Sequence, residues 1–166
     1  MESHKLLKYN SRKVIVRFLI QRVSRASVTV NGKLESAIGP GLLVLIGVSA
    51  HDSLADADYL CTKVIHLRIF PDAEGRMNRS VLDAGGALLL VSQFTLYGDC
   101  RKGRRPGFDH AAPAPLARQL YEYAVDRIRE SGLVTETGIF QAHMEVELVN
   151  DGPVTLMLES PRLAPV

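Results

Sequence analysis

Apolar and polar positions divide the chain into short strand-like runs interrupted by two stretches with helical spacing. Residues 14–23 are rich in Val, Ile, Leu and Phe and predict a strand. Residues 27–30 and 33–38 flank Asn31-Gly32, a dipeptide that accepts the positive φ angles of a type I′ turn, and predict a β-hairpin. Gly39-Pro40-Gly41 breaks the chain, and the unbroken apolar run 42–48 predicts a central strand buried on both faces. Ser53 followed by Asp56 has the form of a capping box. A helix is expected from there to about Leu67, with Leu54, Ala57, Cys61 and Val64 on its apolar face. Residues 68–70 suit a short strand, 72–75 a turn, and 87–95, after Gly85-Gly86, a strong strand. Residues 98–112 read as a basic, glycine-containing loop. Pro113 and Pro115 then open a second helix that Gly132 ends, with Leu116, Leu120, Ala124 and Ile128 as its buried stripe. Residues 144–149 and 154–158 predict two strands joined by a turn, Asn150-Asp151-Gly152-Pro153. Many strands with two main helices between them, without regular βαβ alternation, predict a single compact α+β domain with mixed or antiparallel sheets. Residues 1–13 lack a period and are expected to form a flexible extension before a domain spanning 14–166.

Composition narrows the class. The chain has 166 residues, enough to bury a core without a metal or disulfide staple. Its two cysteines, Cys61 and Cys100, stand far apart, no secretory segment is recognisable, and no apolar run approaches a membrane span. A cytoplasmic protein away from membranes is expected. The formal net charge is +2, but residues 1–13 and 99–105 together carry +6, which leaves −4 for the rest. Taken alone, either cluster is as consistent with a solvated loop as with a phosphate contact.

Familiar catalytic patterns are missing from the sequence. There is no G-x-S-x-G elbow, P-loop, G-x-G-x-x-G or H-E-x-x-H, and His4, His51, His66, His110 and His143 lack metal-ligand spacing. No metal and no cofactor are expected. Ser92 and Thr95 are the tempting nucleophiles, against the plainer reading of polar strand residues bonded to backbone.

Two motifs, Ser92-Gln93-Phe94-Thr95-Leu96 and Asn150-Asp151-Gly152-Pro153-Val154-Thr155, together resemble the signature pair of the D-aminoacyl-tRNA deacylases. Further blocks strengthen the resemblance: Gln21-Arg22-Val23-Ser24-Arg25-Ala26-Ser27-Val28-Thr29-Val30, Gly41-Leu42-Leu43-Val44-Leu45-Ile46-Gly47-Val48, Arg68-Ile69-Phe70, Gly75-Arg76-Met77-Asn78 and Lys102-Gly103-Arg104-Arg105-Pro106. The match extends from about Val16 to Leu158. It implies a D-aminoacyl-tRNA deacylase-like fold and a metal-independent hydrolase that cleaves the ester of D-aminoacyl-tRNA and of glycyl-tRNA. It also implies a homodimer in which Gly152-Pro153, joined by a cis peptide and braced by Arg22, reaches into the partner's site. There the wedge would reject L-residues, because attraction alone separates mirror images poorly.

Catalysis, by the same resemblance, is assigned to the segment Ser92, Gln93, Phe94 and Thr95, with backbone N–H groups around Phe94 and Thr95 as an oxyanion pocket and the ribose 2′-hydroxyl assisting water. Gln93, Phe140 and Met144 are expected at the terminal adenosine, although a core role for Phe140 is as consistent with the residues. Arg101, Lys102, Arg104 and Arg105 are expected at tRNA phosphates. Gln141 and Gly107 depart from the family pattern, which has glycine and serine there. A non-catalytic RNA-binding module, a conventional serine or threonine esterase, and a relative with a trans Gly-Pro that tolerates L-alanine are the competing possibilities.

Overall fold

The computed structural model describes residues 15–161; the basic extension at 1–13 lies outside the described residues. The organising element is β1 (Arg17–Val30), one continuous strand where the apolar pattern suggested a strand and a separate hairpin arm. One edge of β1 is shared: β3 (Gly41–Gly47) pairs antiparallel with its first half and β2 (Lys33–Ile38) with its second half. The other edge is taken along its length by β8 (Glu145–Glu159), also antiparallel. Beyond β3 the sheet continues in parallel through β6 (Ala87–Ser92) and β7 (Thr135–Thr137). The result is a strongly curved six-stranded mixed sheet, with β4 (Phe70–Pro71) and β5 (Met77–Arg79) as a separate two-stranded ribbon. Asn31 (φ 49°) and Gly32 (φ 75°) form the β1–β2 turn, as the dipeptide predicted.

Packing explains the unbroken apolar runs. Leu42, Val44 and Ile46 of β3 and Leu88 and Leu90 of β6 face one core, covered by α1 (Leu54–His66) and α3 (Ala114–Arg129). Leu43, Leu89 and Val91 face a second, smaller core with Val23, Ala26, Val28 and Ile38. Each fully buried leucine contributes about 2 kcal/mol by leaving water, so the parallel pair β3–β6 is the rigid floor on which the site is built. The capping box of α1 is present: Asp56 Oδ2 accepts from Ser53 N at 2.9 Å and Ser53 Oγ at 2.7 Å. Cys61 is buried in the core. Leu54, expected on the apolar face of α1, is instead 45% exposed, and the buried face of the helix begins at Ala57.

Three further differences from the sequence expectations concern short elements. A four-residue helix α2 (Val81–Ala84) has its own capping box between Ser80 and Asp83 and ends at Gly85. The strand expected over 87–95 stops at Ser92, and Phe94–Tyr97 is a 3-10 turn. The two strands expected at 144–149 and 154–158 are one strand, β8, in which 150–153 forms a bulge rather than a reversal.

Candidate active site

The bulge in β8 is defined by its register against β1. Gln21 pairs with Thr155 and Val23 with Asn150, so Arg22 alone stands opposite the four residues 151–154. The Asn150 side chain closes the base, its Nδ2 donating to Arg22 O at 3.0 Å and Val154 O at 2.9 Å. Arg22 braces the same bulge from inside. Its Nε donates to Asp151 O at 3.2 Å and lies 3.4 Å from Asp151 Oδ2, while Nη1 donates to Ile69 O. The Arg22 side chain is only 11% exposed, so its orientation is fixed by packing. Gly152 has φ +123°, and a Cβ there would lie 2.7 Å from Arg22 Nη2 and 2.9 Å from Val154 Cγ2. Glycine is required by both conformation and space. The Gly152–Pro153 peptide is cis, and both residues are exposed.

The first motif occupies the end of β6. Ser92 is the last strand residue, pairing with Ile46, and Gln93 N donates to Ile46 O at 2.8 Å. The chain then tightens into the 3-10 turn. Leu96 N donates to Gln93 O at 3.3 Å and Gly98 N to Thr95 O at 3.0 Å. The N–H groups of Phe94 and Thr95 precede the first bond of the turn and therefore have no acceptor within it. Gln93 Nε2 donates to Thr95 Oγ1, which ties the two side chains together. Phe94 is 55% exposed and meets Phe108 edge-on, with ring centroids 5.0 Å apart. Tyr97 is buried, its hydroxyl donating to Ile15 O, and burial pushes its phenol well above the ordinary range. Among the described residues, no histidine side chain is hydrogen-bonded to Ser92 or Thr95.

Phe108 links this turn to the basic loop. Asp99 and Gly107 exchange two backbone bonds, of 2.8 and 2.9 Å, that close the loop at its base. Arg101, Lys102, Arg104 and Arg105 are all exposed. Arg101 is committed locally: Nε and Nη2 donate to the two Asp99 oxygens at 2.8 and 2.6 Å, and this guanidinium holds the Asp99 carboxyl far below the usual carboxylate range. A Cβ on Gly107 would meet nothing closer than 4.0 Å, so a serine would fit there.

The strand β7 brings the segment 138–144 beside the end of β6. Gly138 N donates to Leu90 O at 2.9 Å, and a Cβ on Gly138 would lie 2.6 Å from Met144 Sδ. Met144 Sδ accepts from Ile139 N at 3.4 Å and the side chain is half-buried. Phe140 packs against Tyr121 (centroids 6.0 Å apart), and the Arg118 guanidinium lies 4.5 Å over its ring. Its surroundings are those of a core-edge aromatic with one face covered by a cation. Gln141 has φ +63°, the left-handed region, which gives a physical reason for glycine at that position.

Thus Ser92, Gln93, Phe94, Thr95, Met144 and the basic loop gather around one end of β6, whereas Arg22, Gly152 and Pro153 stand elsewhere. Gly152 lies at the level of Arg22, and Ser92, through Ile46, at the level of Phe18. Four residues along β1 and three strand spacings across a curved sheet separate them by roughly 15–20 Å. The bulge is on the outer edge of the sheet: among the described residues β8 pairs only with β1, and its neighbours Val149, Leu156 and Met157 are exposed. Among the described residues no helix is long and apolar enough to cross a membrane.

Comparison with known proteins identifies the family and the fold. Residues 19–159 match the family model described as D-Tyr-tRNA(Tyr) deacylase. A D-aminoacyl-tRNA deacylase of Symbiobacterium thermophilum is 61% identical over 147 residues, covering 89% of this chain and 97% of the relative. One from Heliobacterium modesticaldum is 61% identical over 144 residues, covering 87% and 96%. Among solved structures, a c-Myc DNA unwinding element binding protein superimposes with a TM-score of 0.82 at 41% identity, covering 87% of this chain and 99% of that one. A probable eukaryotic D-amino acid tRNA deacylase superimposes with a TM-score of 0.75 at 19% identity, covering 88% and 100%, a likeness of fold. Sequence, fold and both signature segments therefore place the chain in the D-aminoacyl-tRNA deacylase family of hydrolases.

Proposed function

We propose that the chain cleaves the ester of D-aminoacyl-tRNA, and of glycyl-tRNA, in a site shared by two copies: the Phe94–Tyr97 turn of one and the Arg22-braced bulge of the other. The observation that carries this reading is the separation of the two motifs. At roughly 15–20 Å from the turn, the bulge does not reach an aminoacyl group held there within one chain, and it is exposed on a strand edge that, among the described residues, only β1 pairs, flanked by Val149, Leu156 and Met157. A long free edge with exposed apolar side chains is a surface that a second copy can cover.

In that site the reaction is backbone chemistry. Water oxygen bonds to the ester carbonyl carbon, and the negative charge that develops on the carbonyl oxygen is met by the N–H groups of Phe94 and Thr95. The ribose 2′-hydroxyl relays the proton of water to the departing 3′ oxygen, giving free amino acid and tRNA. No protein base is needed and no metal enters the scheme. Gly152 and Pro153 face the α-carbon and leave room for hydrogen but not for an L side chain, so glycine passes as well. Gln93 and Met144 hold the terminal adenosine, with Phe140 beside it once Arg118 swings off the ring. Lys102, Arg104 and Arg105 contact phosphates without reading sequence, and Arg101 is shared with Asp99.

The test is hydrolysis of D-tyrosyl-tRNA, L-tyrosyl-tRNA and glycyl-tRNA side by side, with a chelator present. Cleavage of the D- and glycyl esters alone is expected. Cleavage of the L-ester at a similar rate would sink the chiral reading, and loss of activity in chelator would sink the metal-independent one. Binding of tRNA with no cleavage would favour an RNA-binding module.

A further inference from the structure

The Phe94–Tyr97 turn has few bonds of its own, since four residues in a 3-10 turn make at most a couple of internal hydrogen bonds. It must be held from outside. Its C-terminal half presses on β3, where a Cβ on Gly47 would come within 3.1 Å of Leu96 Cβ. Phe94 rests on Phe108 and the Tyr97 hydroxyl donates to Ile15 O, and one further side chain holds the turn at two points. Arg17 Nη1 donates to Leu96 O at 2.9 Å, and the same guanidinium lies 4.9 Å from the centroid of the Tyr97 ring. Arg17 Nε donates to Glu159 Oε1 at 2.9 Å, which pins the guanidinium at the far end of β8. Carbonyl, ring and carboxylate thus engage a single planar group from three directions.

We infer that Arg17 is a positioning residue for the reaction: anchored by Glu159, it holds the Leu96 carbonyl and Tyr97 ring and so fixes where the Phe94 and Thr95 N–H groups point. The inference rests on the proposal that those N–H groups form the oxyanion pocket. A surface ion pair of this exposure contributes little to global stability. The effect of Arg17 should therefore appear in the turn and in the chemical step rather than in the folding transition. Donors displaced by a fraction of an ångström lose transition-state contact while ground-state binding of the tRNA persists.

The experiment combines steady-state kinetics on D-tyrosyl-tRNA with amide hydrogen exchange over residues 93–98, for wild type, Arg17→Met and Arg17→Lys. For Arg17→Met, kcat should fall roughly 10-fold or more, KM should stay within about 2-fold, and exchange in the turn should quicken. Arg17→Lys, which keeps a donor for Leu96 O but not the fork and stack, should recover part of kcat. Wild-type kcat with wild-type exchange overturns the inference, as does a fall in kcat with exchange unchanged. Faster exchange with wild-type kcat also overturns it and locates the fault: Arg17 holds the turn, but the turn does no chemistry. Should Arg17→Met fail to fold, Glu159→Gln removes the anchor while keeping the guanidinium, and the same two readouts decide.

Discussion

The two signature segments differ in where they stand and agree in how they are made. The turn after β6 lies at the end of the rigid parallel core, close to the basic loop, while the bulge of β8 lies on an exposed edge of the sheet. Each is irregular backbone, and each is braced by an arginine of β1: Arg17 on Leu96 O, Arg22 on Asp151 O and Ile69 O. One strand thus fixes both halves of the proposed site. In the proposed reaction neither half depends on an ionisable group at the reacting atoms: the turn would offer donors for negative charge, the bulge shape.

Substitutions that alter backbone should therefore exceed those that alter side chains. The largest effect is expected for Phe94→Pro, which deletes an N–H at a position where the preceding Gln93 already lies outside the helical region that a following proline disfavours (φ −142°, ψ 80°). Its kcat should fall about 100- to 1000-fold, the usual cost of one oxyanion donor, with Phe94→Leu far milder; equal losses in the two would assign the effect to the ring. At the bulge, Gly152→Ala should cost about 100-fold in kcat/KM, because the new methyl displaces Arg22 or Val154 by a large fraction of an ångström. Wild-type turnover of that variant would remove the bulge from the site.

Smaller effects sharpen the same contrast. Replacing Lys102, Arg104 and Arg105 together by alanine should raise KM about 10-fold, flatten its salt dependence and leave kcat intact. Arg101→Ala alone should do much less, since its charge is already shared with Asp99. Thr95→Ala keeps the N–H and loses only the bond from Gln93, so turnover should stay within about 5-fold of wild type. Near-total loss with an intact fold would favour a threonine nucleophile. Last, Gln141→Gly should raise stability in thermal unfolding by about 1 kcal/mol, the order of the strain that a side chain carries at left-handed φ.

Much of the core was legible from the chain. Alternate residues of β3 and β6 face two different cores, which is why both strands read as unbroken apolar runs. Asn31-Gly32 and the Ser53–Asp56 pair announced a turn and a helix start through local hydrogen-bond chemistry. The irregular parts were hidden for physical reasons. Phe94 and Thr95 are good strand formers that continue an apolar run, and bonds that local composition does not show, to Gln93 O, Thr95 O and from Arg17 to Leu96 O, hold them in a turn. Asn150-Asp151-Gly152-Pro153 has turn composition, but β1 runs past it on a continuous edge and converts the reversal into a bulge. The site residues came from motif resemblance, because backbone donors leave no compositional trace. Arg17 was missed altogether: nothing local distinguishes an arginine at the start of a strand from a solvated one.

The shared site can be tested most directly by mixing two inactive proteins. Gly152→Ala subunits lack the wedge and Phe94→Pro subunits lack a donor. If each site takes one segment from each copy, a mixed dimer holds one doubly altered site and one intact site. After random exchange of subunits in equal amounts, activity on D-tyrosyl-tRNA should recover to about a quarter of wild type, as two-fold symmetry requires. Mixtures that remain as inactive as their components, with subunit exchange verified, would show that both segments act within one chain or that one of them does not act at all.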